Sequence, residues 1–212
     1  PSGEYFAAGM FNQVKLCDKT GWAHEREKTT IGSAFSLAWC DDGTQLAVGG
    51  NGTVAFGSVI DRKISWGKYE VKQVAAGALT VDDIMVGTQE TLSFTDPIVH
   101  MNMSFDRLIV TTTRQGFIYN SPNWLAPHIF DLRLPVSLVV QCAHSFALAD
   151  AQGISVYTNE QRLICECKHP NMRPELLNRH TVSLSSDLLA VVDMSKPKDI
   201  VIFDTTSGKG SM

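Results

Sequence analysis

The chain has 212 residues, of which 44% are hydrophobic and 19% charged, and its formal net charge is −4. This composition excludes a disordered tail, which would be poor in apolar residues and rich in charge. The mildly acidic balance argues against a nucleic-acid groove, and no segment approaches the about 20 apolar residues of a membrane-spanning helix. Five cysteines at irregular positions, without a secretory signal, predict free thiols in a reducing compartment.

Two segments near the N terminus repeat each other at an offset of 40 residues. Residues 2–9 and 42–49 share Gly, an apolar residue, Ala and Gly in register, and Val14 then aligns with Val54. Each copy predicts a tight turn, a strand, a second turn and a further strand, because Gly suits turns and alternating apolar residues suit half-buried strands. In the second copy, residues 50–52 (Gly-Asn-Gly) are a strong hairpin signal.

Weaker copies follow toward the C terminus. Further hairpins are predicted in residues 105–119, 146–157 and 188–203. Additional blade strands are predicted before the hairpins, at residues 34–39, 98–103, 136–141 and 181–184. Only residues 171–177 suggest a helical turn, with Pro174 near its start.

The period of these copies defines the predicted fold. A repeat of about 40–45 residues with several short strands is typical of a β-propeller blade. The fold class is therefore predicted to be all-β, with WD40-type blades and minimal helix; the alternative, a β-sandwich, would not require the self-similarity. The copies amount to the end of one blade, three fuller blades and most of another. We therefore expect an open, incomplete propeller that is a piece of a longer protein.

A more specific resemblance is carried by strings spread over the whole chain. The most specific is Cys-Asp-Lys-Thr-Gly-Trp at residues 17–22, preceded by Gly-Glu-Tyr-Phe-Ala-Ala-Gly at 3–9. Pro-His-Ile-Phe-Asp-Leu at 127–132 and Thr-Val-Ser-Leu-Ser at 181–185 keep the same order. In these strings the chain resembles the family of eighty-kilodalton WD-repeat subunits of intraflagellar transport complex B. The WD-repeat tetrad itself is mostly degraded, with Phe203-Asp204 where Trp-Asp would stand.

The resemblance implies a domain organisation and a role. Residues 1–22 would end the last blade of a first propeller, residues 23–30 would be a linker, and residues 31–212 would begin a second propeller. The chain would be part of a non-catalytic structural subunit, which is needed for assembly of cilia and flagella and for ciliary cargo transport. Its partners would be other complex B subunits, without nucleic acid or membrane insertion, and any dimerisation would use regions absent from this chain. Its location would be the cilium or flagellum and the basal body, with a cytoplasmic pool.

One metal candidate was weighed against a structural interpretation. Cys165, Cys167 and His169 alternate, so on a strand all three would point to one face. A structural zinc site needs four ligands, commonly with wider cysteine spacing, whereas buried cysteines often behave as small hydrophobes. The second interpretation is favoured. We therefore expect no catalytic, cofactor-binding or metal-ligating residues and no cofactor.

The remaining candidates are also interpreted structurally. Paired carboxylates at 41–42 and 82–83 are expected to bind backbone amides in turns. The glycine-rich segments 49–52 and 207–211 lack the spacing of a phosphate loop and predict a hairpin and a flexible tail. Trp39 is expected in the core, whereas Trp22 and Trp124 are candidates for exposed interface anchors.

Two further functions stay open at this point. One is a WD-repeat scaffold of another assembly, such as a coat or a ubiquitin-ligase adaptor. The other is a propeller enzyme, which is less favoured because the sequence has no nucleophile elbow and its six histidines do not recur at a fixed blade position.

Overall fold

The computed structural model describes residues 5–40, 43, 45–59, 62–170, 172–193, 196 and 199–211. Strands dominate these residues, and the chain divides into two compact units, Pro1–Asp61 and Arg62–Met212. The predicted all-β class with minimal helix is confirmed. In the described part of the chain, no helix is long and apolar enough to cross a bilayer.

The N-terminal unit contains a two-stranded and a three-stranded antiparallel sheet. Its strands are β1 (Tyr5–Asp18), β2 (Ala23–Ser33), β3 (Ser36–Trp39), β4 (Gln45–Gly50) and β5 (Thr53–Ser58). The alternating side chains of β4 place Leu46 and Val48 in a small core with Val14 and Ile31. This core lies between the two sheets, so the opposite face of the three-stranded sheet receives no such cover from within the unit.

The first repeat copy folds differently from the prediction. The second turn and the hairpin expected in it do not form, because β1 continues from Tyr5 to Asp18 as one strand. The first expected turn, at residues 2–4, lies outside the described residues. Asn12 adopts a φ of 53° beside a register shift, so the local irregularity is absorbed as a bulge. A Cβ on Gly9 would lie 2.7 Å from the Cβ of Ala34, which means that this glycine permits close packing rather than a turn.

Residues 23–30, which the resemblance implies to be a linker, lie within β2 in this structure. They pair with β1 in the register Gln13↔Lys28 to Leu16↔Glu25. These residues form a strand because they can hydrogen-bond along the edge of the long strand β1. The assignment of residues 1–22 and 31–212 to two successive propellers stays a prediction.

The hairpin signal of the second copy is confirmed. Gly50 pairs with Thr53, which leaves a two-residue loop between β4 and β5. Asn51 and Gly52 adopt φ angles of 47° and 77°, the left-handed values that a type I′ turn requires at both positions.

The C-terminal unit contains four four-stranded antiparallel sheets, each formed by strands consecutive in the chain. Sheet I consists of β6 (Lys63–Trp66), β7 (Tyr69–Ala75), β8 (Ala78–Asp83) and β9 (Thr88–Ser93). Sheet II consists of β10 (Ile98–Ser104), β11 (Arg107–Thr112), β12 (Gln115–Asn120) and β13 (Asn123–Asp131). Sheet III consists of β14 (Leu138–Gln141), β15 (Ser145–Asp150), β16 (Gly153–Thr158) and β17 (Leu163–Cys167). Sheet IV consists of β18 (Val182–Leu184), β19 (Leu188–Val192), β20 (Ile200–Asp204) and β21 (Gly210–Ser211).

These sheets include the hairpins predicted at 105–119, 146–157 and 188–203, which are confirmed. Between sheets III and IV the predicted helical turn appears as a short 3-10 helix, Pro174–Leu176, with proline at its start.

The four sheets stack in chain order, with the first strand of each sheet next to the first strand of the following one. Strand alternation divides each sheet's side chains between its two neighbours. In β15, Phe146 and Leu148 pack toward sheet II, whereas Ala147 and Ala149 pack toward sheet IV. Each interface between sheets therefore has its own apolar cluster, and the inner sheets are covered on both faces.

Candidate functional site

The cysteine candidates of β17 form a buried pair. The Sγ atoms of Cys165 and Cys167 lie 3.7 Å apart, and burial raises the pKa of the Cys167 thiol to about 12. A thiol that resists ionisation is a poor nucleophile and a poor metal ligand. Nowhere in the described ranges do three His, Cys, Asp or Glu side chains group as metal ligands would. The small-hydrophobe interpretation fits this environment, and the absence of a metal stays a prediction.

The two neighbouring carboxylates Asp82 and Asp83 have different roles. Asp83 Oδ1 accepts hydrogen bonds from the backbone N–H groups of Met85 (3.0 Å) and Val86 (3.1 Å), as predicted for a turn. Asp82 does not bind local amides: it accepts hydrogen bonds from Gln89 Nε2 (2.6 Å) and Lys72 Nζ (3.2 Å) on neighbouring strands. The turn prediction is therefore wrong for Asp82, because its side chain belongs to a row of ion pairs across β6, β7 and β8: Lys63 with Glu70, and Lys72 with Glu70 and Asp82. Residues 41 and 42 lie outside the described residues.

The tryptophans divide differently from the prediction. Trp22 is 72% exposed, as expected. Trp124 is only 7% exposed and meets Tyr69 edge-on at a ring-centroid distance of 5.2 Å, so its prediction as an exposed anchor is wrong. Its position at the start of β13 directs the indole into the apolar cluster between sheets I and II. Trp39 packs half-buried against the small N-terminal core.

The two glycine-rich segments both belong to turns and strands. Residues 49–52 form the β4–β5 hairpin described above. Residues 207–211 are not a free tail in the described structure, because β21 pairs with β20. The connecting turn is closed by Asp204 Oδ1, which accepts hydrogen bonds from the backbone N–H and hydroxyl groups of Thr206 and Ser207. These bonds lower the pKa of Asp204 to about 2.

The turn between β8 and β9 displays three apolar side chains, and we call residues 84–86 the apolar turn. Ile84, Met85 and Val86 are 63%, 81% and 67% exposed. The backbone beneath them is fixed by Asp83, whose Oδ2 also lies 2.7 Å from Lys68 Nζ. A preorganised apolar projection of this kind can bind a protein partner without first losing conformational freedom.

The corresponding turns of the other three sheets are not apolar projections. Sheet II has Ser121-Pro122 at this position, sheet III has residues 159–162 (Asn-Glu-Gln-Arg), and sheet IV has residues 205–209 (Thr-Thr-Ser-Gly-Lys). The apolar turn is therefore a local feature of sheet I and not a requirement of the repeat.

A groove of about 470 Å³ lies between the outer parts of sheets II and III, and we call it the II/III groove. Its apolar lining includes Phe130, Val136, Leu148 and Tyr157. The lining is fixed by ring packing, since Phe146 stacks on Tyr157 at 5.4 Å between ring centroids. The groove is therefore a preformed concave surface.

Polar side chains line the same groove, and most of them have partners. The ammonium of Lys168 lies 2.8 Å from the Glu166 carboxylate, and Asp131 accepts a hydrogen bond from Gln115 Nε2 at 3.2 Å. The amide Nε2 of Gln161 is buried without a hydrogen-bond partner among the described residues. The Lys168 ammonium, with a smaller contribution from the charge of Arg133, holds the pKa of Glu166 below its ordinary value. Neither Gln161 nor Arg133 is predicted from the sequence, because no local motif marks them.

Four-stranded antiparallel sheets that stack with adjacent first strands are the blades of a β-propeller. The chain belongs to the IFT80 second beta-propeller family, whose model matches residues 61–212. This family confirms the resemblance seen in the sequence.

Individual relatives agree with the family assignment. The proteins named "Intraflagellar transport protein 80 homolog" from Rattus norvegicus and Mus musculus are each 38% identical over 211 residues, which is 99% of this chain. The chain spans 27% of the length of these relatives. Among solved structures, the computationally designed Ika8 protein covers 100% of this chain and 84% of its own at 12% identity; its TM-score of 0.47 supports no argument.

Proposed function

We propose that this chain is part of a non-catalytic structural and protein-interaction subunit of intraflagellar transport complex B. This subunit is needed for assembly of cilia or flagella and for ciliary cargo transport, and it binds other complex B subunits. It resides in the cilium or flagellum and at the basal body, with a cytoplasmic pool. The observation that supports this proposal best is the 38% identity, over 99% of the chain, to relatives named intraflagellar transport protein 80.

The geometry supports binding rather than catalysis. The carboxylates of Asp83 and Asp204 both close turns, and the thiols of β17 are buried as a pair. General acid–base chemistry needs such groups free and converging on a substrate. The apolar turn and the II/III groove instead offer a fixed projection and a fixed concavity, which are features of a binding surface.

The test is purification of the full-length protein that contains this chain from ciliated cells through an affinity tag. The proposal predicts recovery of other complex B subunits in near-stoichiometric amounts. Recovery of a vesicle coat or a ubiquitin ligase in their place would contradict it and favour the other scaffold functions.

A pair of variants shows whether the apolar turn takes part in this binding. Met85→Asp in the full-length protein is expected to lower the recovery of complex B subunits, because it places a charge where an apolar contact forms. Ile200→Asp is the matched control, since Ile200 is 53% exposed in sheet IV, which sheets II and III separate from sheet I. Equal recovery of complex B subunits with both variants would show that the apolar turn is not part of the binding surface.

A further inference from the structure

The charges that line the II/III groove do not balance. The lining contains more carboxylates than cationic side chains: Asp131, Asp150 and Glu166 against Arg133 and Lys168. Both cations act on one carboxylate, because the Lys168 ammonium lies 2.8 Å from Glu166 and the charge of Arg133 also lowers the pKa of Glu166. The groove is therefore net acidic, and its excess negative charge belongs to the two aspartates.

These two aspartates accept hydrogen bonds from neutral donors only. Asp131 Oδ1 accepts from Gln115 Nε2 at 3.2 Å, and Asp150 Oδ1 accepts from the N–H of Gln152 at 2.7 Å. Neither carboxylate has an ion-pair partner among the described residues. An ionised carboxylate can accept about four hydrogen bonds, so each keeps most of its capacity for a further donor. A cationic donor is the ligand group that matches them.

The two aspartates come from the two sheets that form the groove. Asp131 is the last residue of β13 in sheet II, and Asp150 is the last residue of β15 in sheet III. A cation in the groove can therefore bind a carboxylate from each sheet. A guanidinium suits this arrangement better than an ammonium, because its five donors form a planar fork that matches carboxylates.

The rest of the lining suits the carbon chain that carries such a cation. Phe130 and Tyr157 line the groove, and both rings pack on Phe146, at centroid distances of 6.2 Å and 5.4 Å. Guanidinium groups stack on aromatic rings, and the methylene stem of arginine packs along apolar surface. Val136 and Leu148 add aliphatic surface to the same lining. The groove is therefore complementary to arginine together with apolar neighbours.

The length of the groove exceeds that of one side chain. Its lining reaches from Asp150 and Gln152, before β16, to Gln161 and Leu163, after it. Because β16 has six residues and a strand rises about 3.3 Å per residue, this path is about 20 Å long. It corresponds to about six residues of extended peptide. A peptide segment therefore fits the groove better than a free amine or a single amino acid.

We infer that the II/III groove binds a segment of another protein in which arginine and apolar residues alternate. The guanidinium groups pair with Asp131 and Asp150, and the apolar side chains contact the lining at Val136 and Leu148. This inference goes beyond the proposed function, since it does not depend on the partner being a complex B subunit.

The test is fluorescence anisotropy of the full-length protein that contains this chain, with a labelled, capped hexapeptide of alternating Arg and Leu. Asp131→Asn and Asp150→Asn are each expected to weaken this peptide about tenfold, the scale of one hydrogen bond to a charged group. Asparagine keeps an oxygen that can accept from Gln115 or Gln152, so these variants remove the charge and retain the local structure. Asp106→Asn, in a turn outside the groove lining, is the matched control and leaves the affinity unchanged.

A variant of the opposite sign sharpens the test. Arg133→Gln removes a positive charge from the lining, so it is expected to strengthen the Arg–Leu peptide about threefold, the scale of one exposed charge pair. A ligand that pairs with Arg133 would instead bind this variant more weakly, and that result would contradict the inference.

Four further outcomes would overturn the inference. They are equal binding of a Glu–Leu hexapeptide, an affinity that neither aspartate variant changes, equal binding of an Arg–Ser hexapeptide, and displacement of the Arg–Leu peptide by an equal concentration of free arginine. The third would show that the apolar lining contributes nothing, and the fourth would indicate a site for small cations. Failure of the titration leaves complex B co-purification unaffected, so the two proposals fail separately.

Discussion

The two units of the chain show what a blade-like sequence needs in order to form a core. In the C-terminal unit, sheets II and III are each packed on both faces, and residues such as Phe146 and Leu108 are almost completely buried. In the described part of the N-terminal unit the core has four buried residues, and Phe56 is 79% exposed on the outer face of its sheet. Both units contain alternating strands and tight hairpins.

The difference between the units therefore lies in stacking and not in strand formation. A repeat of this kind cannot bury both faces by itself, and each additional neighbour covers one more face. We expect the C-terminal unit to have most of the chain's unfolding free energy, and the predictions below test this difference.

The largest difference is expected for matched phenylalanine substitutions. Phe146→Ala should lower the free energy of unfolding by about 3–5 kcal/mol, because it leaves a cavity between Phe130 and Tyr157. Phe56→Ala, at an exposed position, should change it by no more than about 0.5 kcal/mol. Urea unfolding of both variants measures the two values; similar costs would show that the units do not differ in packing.

A smaller difference is expected for matched glycine substitutions. A Cβ on Gly116 in β12 would overlap the ring of Phe130, so Gly116→Ala should cost about 1–3 kcal/mol. Gly57 in β5 has nothing within 4 Å of the same position and no positive φ, so Gly57→Ala should be neutral or slightly stabilising. Thermal unfolding compares the two, and a neutral Gly116→Ala would mean that the ring of Phe130 does not pack on Gly116 across β12 and β13.

The smallest effect concerns the turn of Asp204. The pKa of this carboxyl is lowered to about 2 by its four hydrogen bonds, so its ionised form stabilises the folded state. This stabilisation is complete above the ordinary aspartate pKa and is lost as the pH falls from about 4 toward about 2. Asp204→Asn should therefore have a lower Tm than the parent chain at pH 6, and the gap should close toward pH 2.

The matched control for the acid titration is Asp106→Asn. Asp106 is an exposed turn residue whose side chain has no hydrogen-bond partner among the described residues. Its Tm should follow that of the parent chain over the same pH range. A constant gap between Asp204→Asn and the parent from pH 6 to pH 2 would show that the charge of Asp204 contributes nothing.

Local patterns predicted the strands and hairpins well because those elements depend on neighbours in sequence. Asn51-Gly52 specifies its own turn, and alternation in residues 146–157 specifies both strands and faces. Reasoning from local pattern failed at Gly9, because this glycine accommodates the close approach of Ala34, which no local pattern reveals. It failed again at Trp124, whose neighbour Pro122 suggests a loop while its partner Tyr69 is distant in sequence.

The II/III groove could not be predicted from the sequence for the same reason. Arg133 follows the last strand of sheet II, and Gln161 lies in the turn between β16 and β17 of sheet III, so they line one groove only because those sheets stack. Neither residue type is unusual where it stands, and the missing partner of Gln161 becomes apparent only once the surrounding acceptors are placed. The sequence therefore revealed the class of protein and its fold, but not a binding surface.

We expect the four stacked sheets to form one cooperative, rigid platform for the binding surfaces, while the N-terminal unit opens more readily. Native-state amide hydrogen exchange of the 212-residue chain measures both properties. The amides of β11 and β15 should exchange together, at the slowest rate in the chain, and those of β4 should exchange at least about tenfold faster. Equal protection of β4 and β15, or separate exchange of β11 and β15, would show that stacking does not determine stability in this chain.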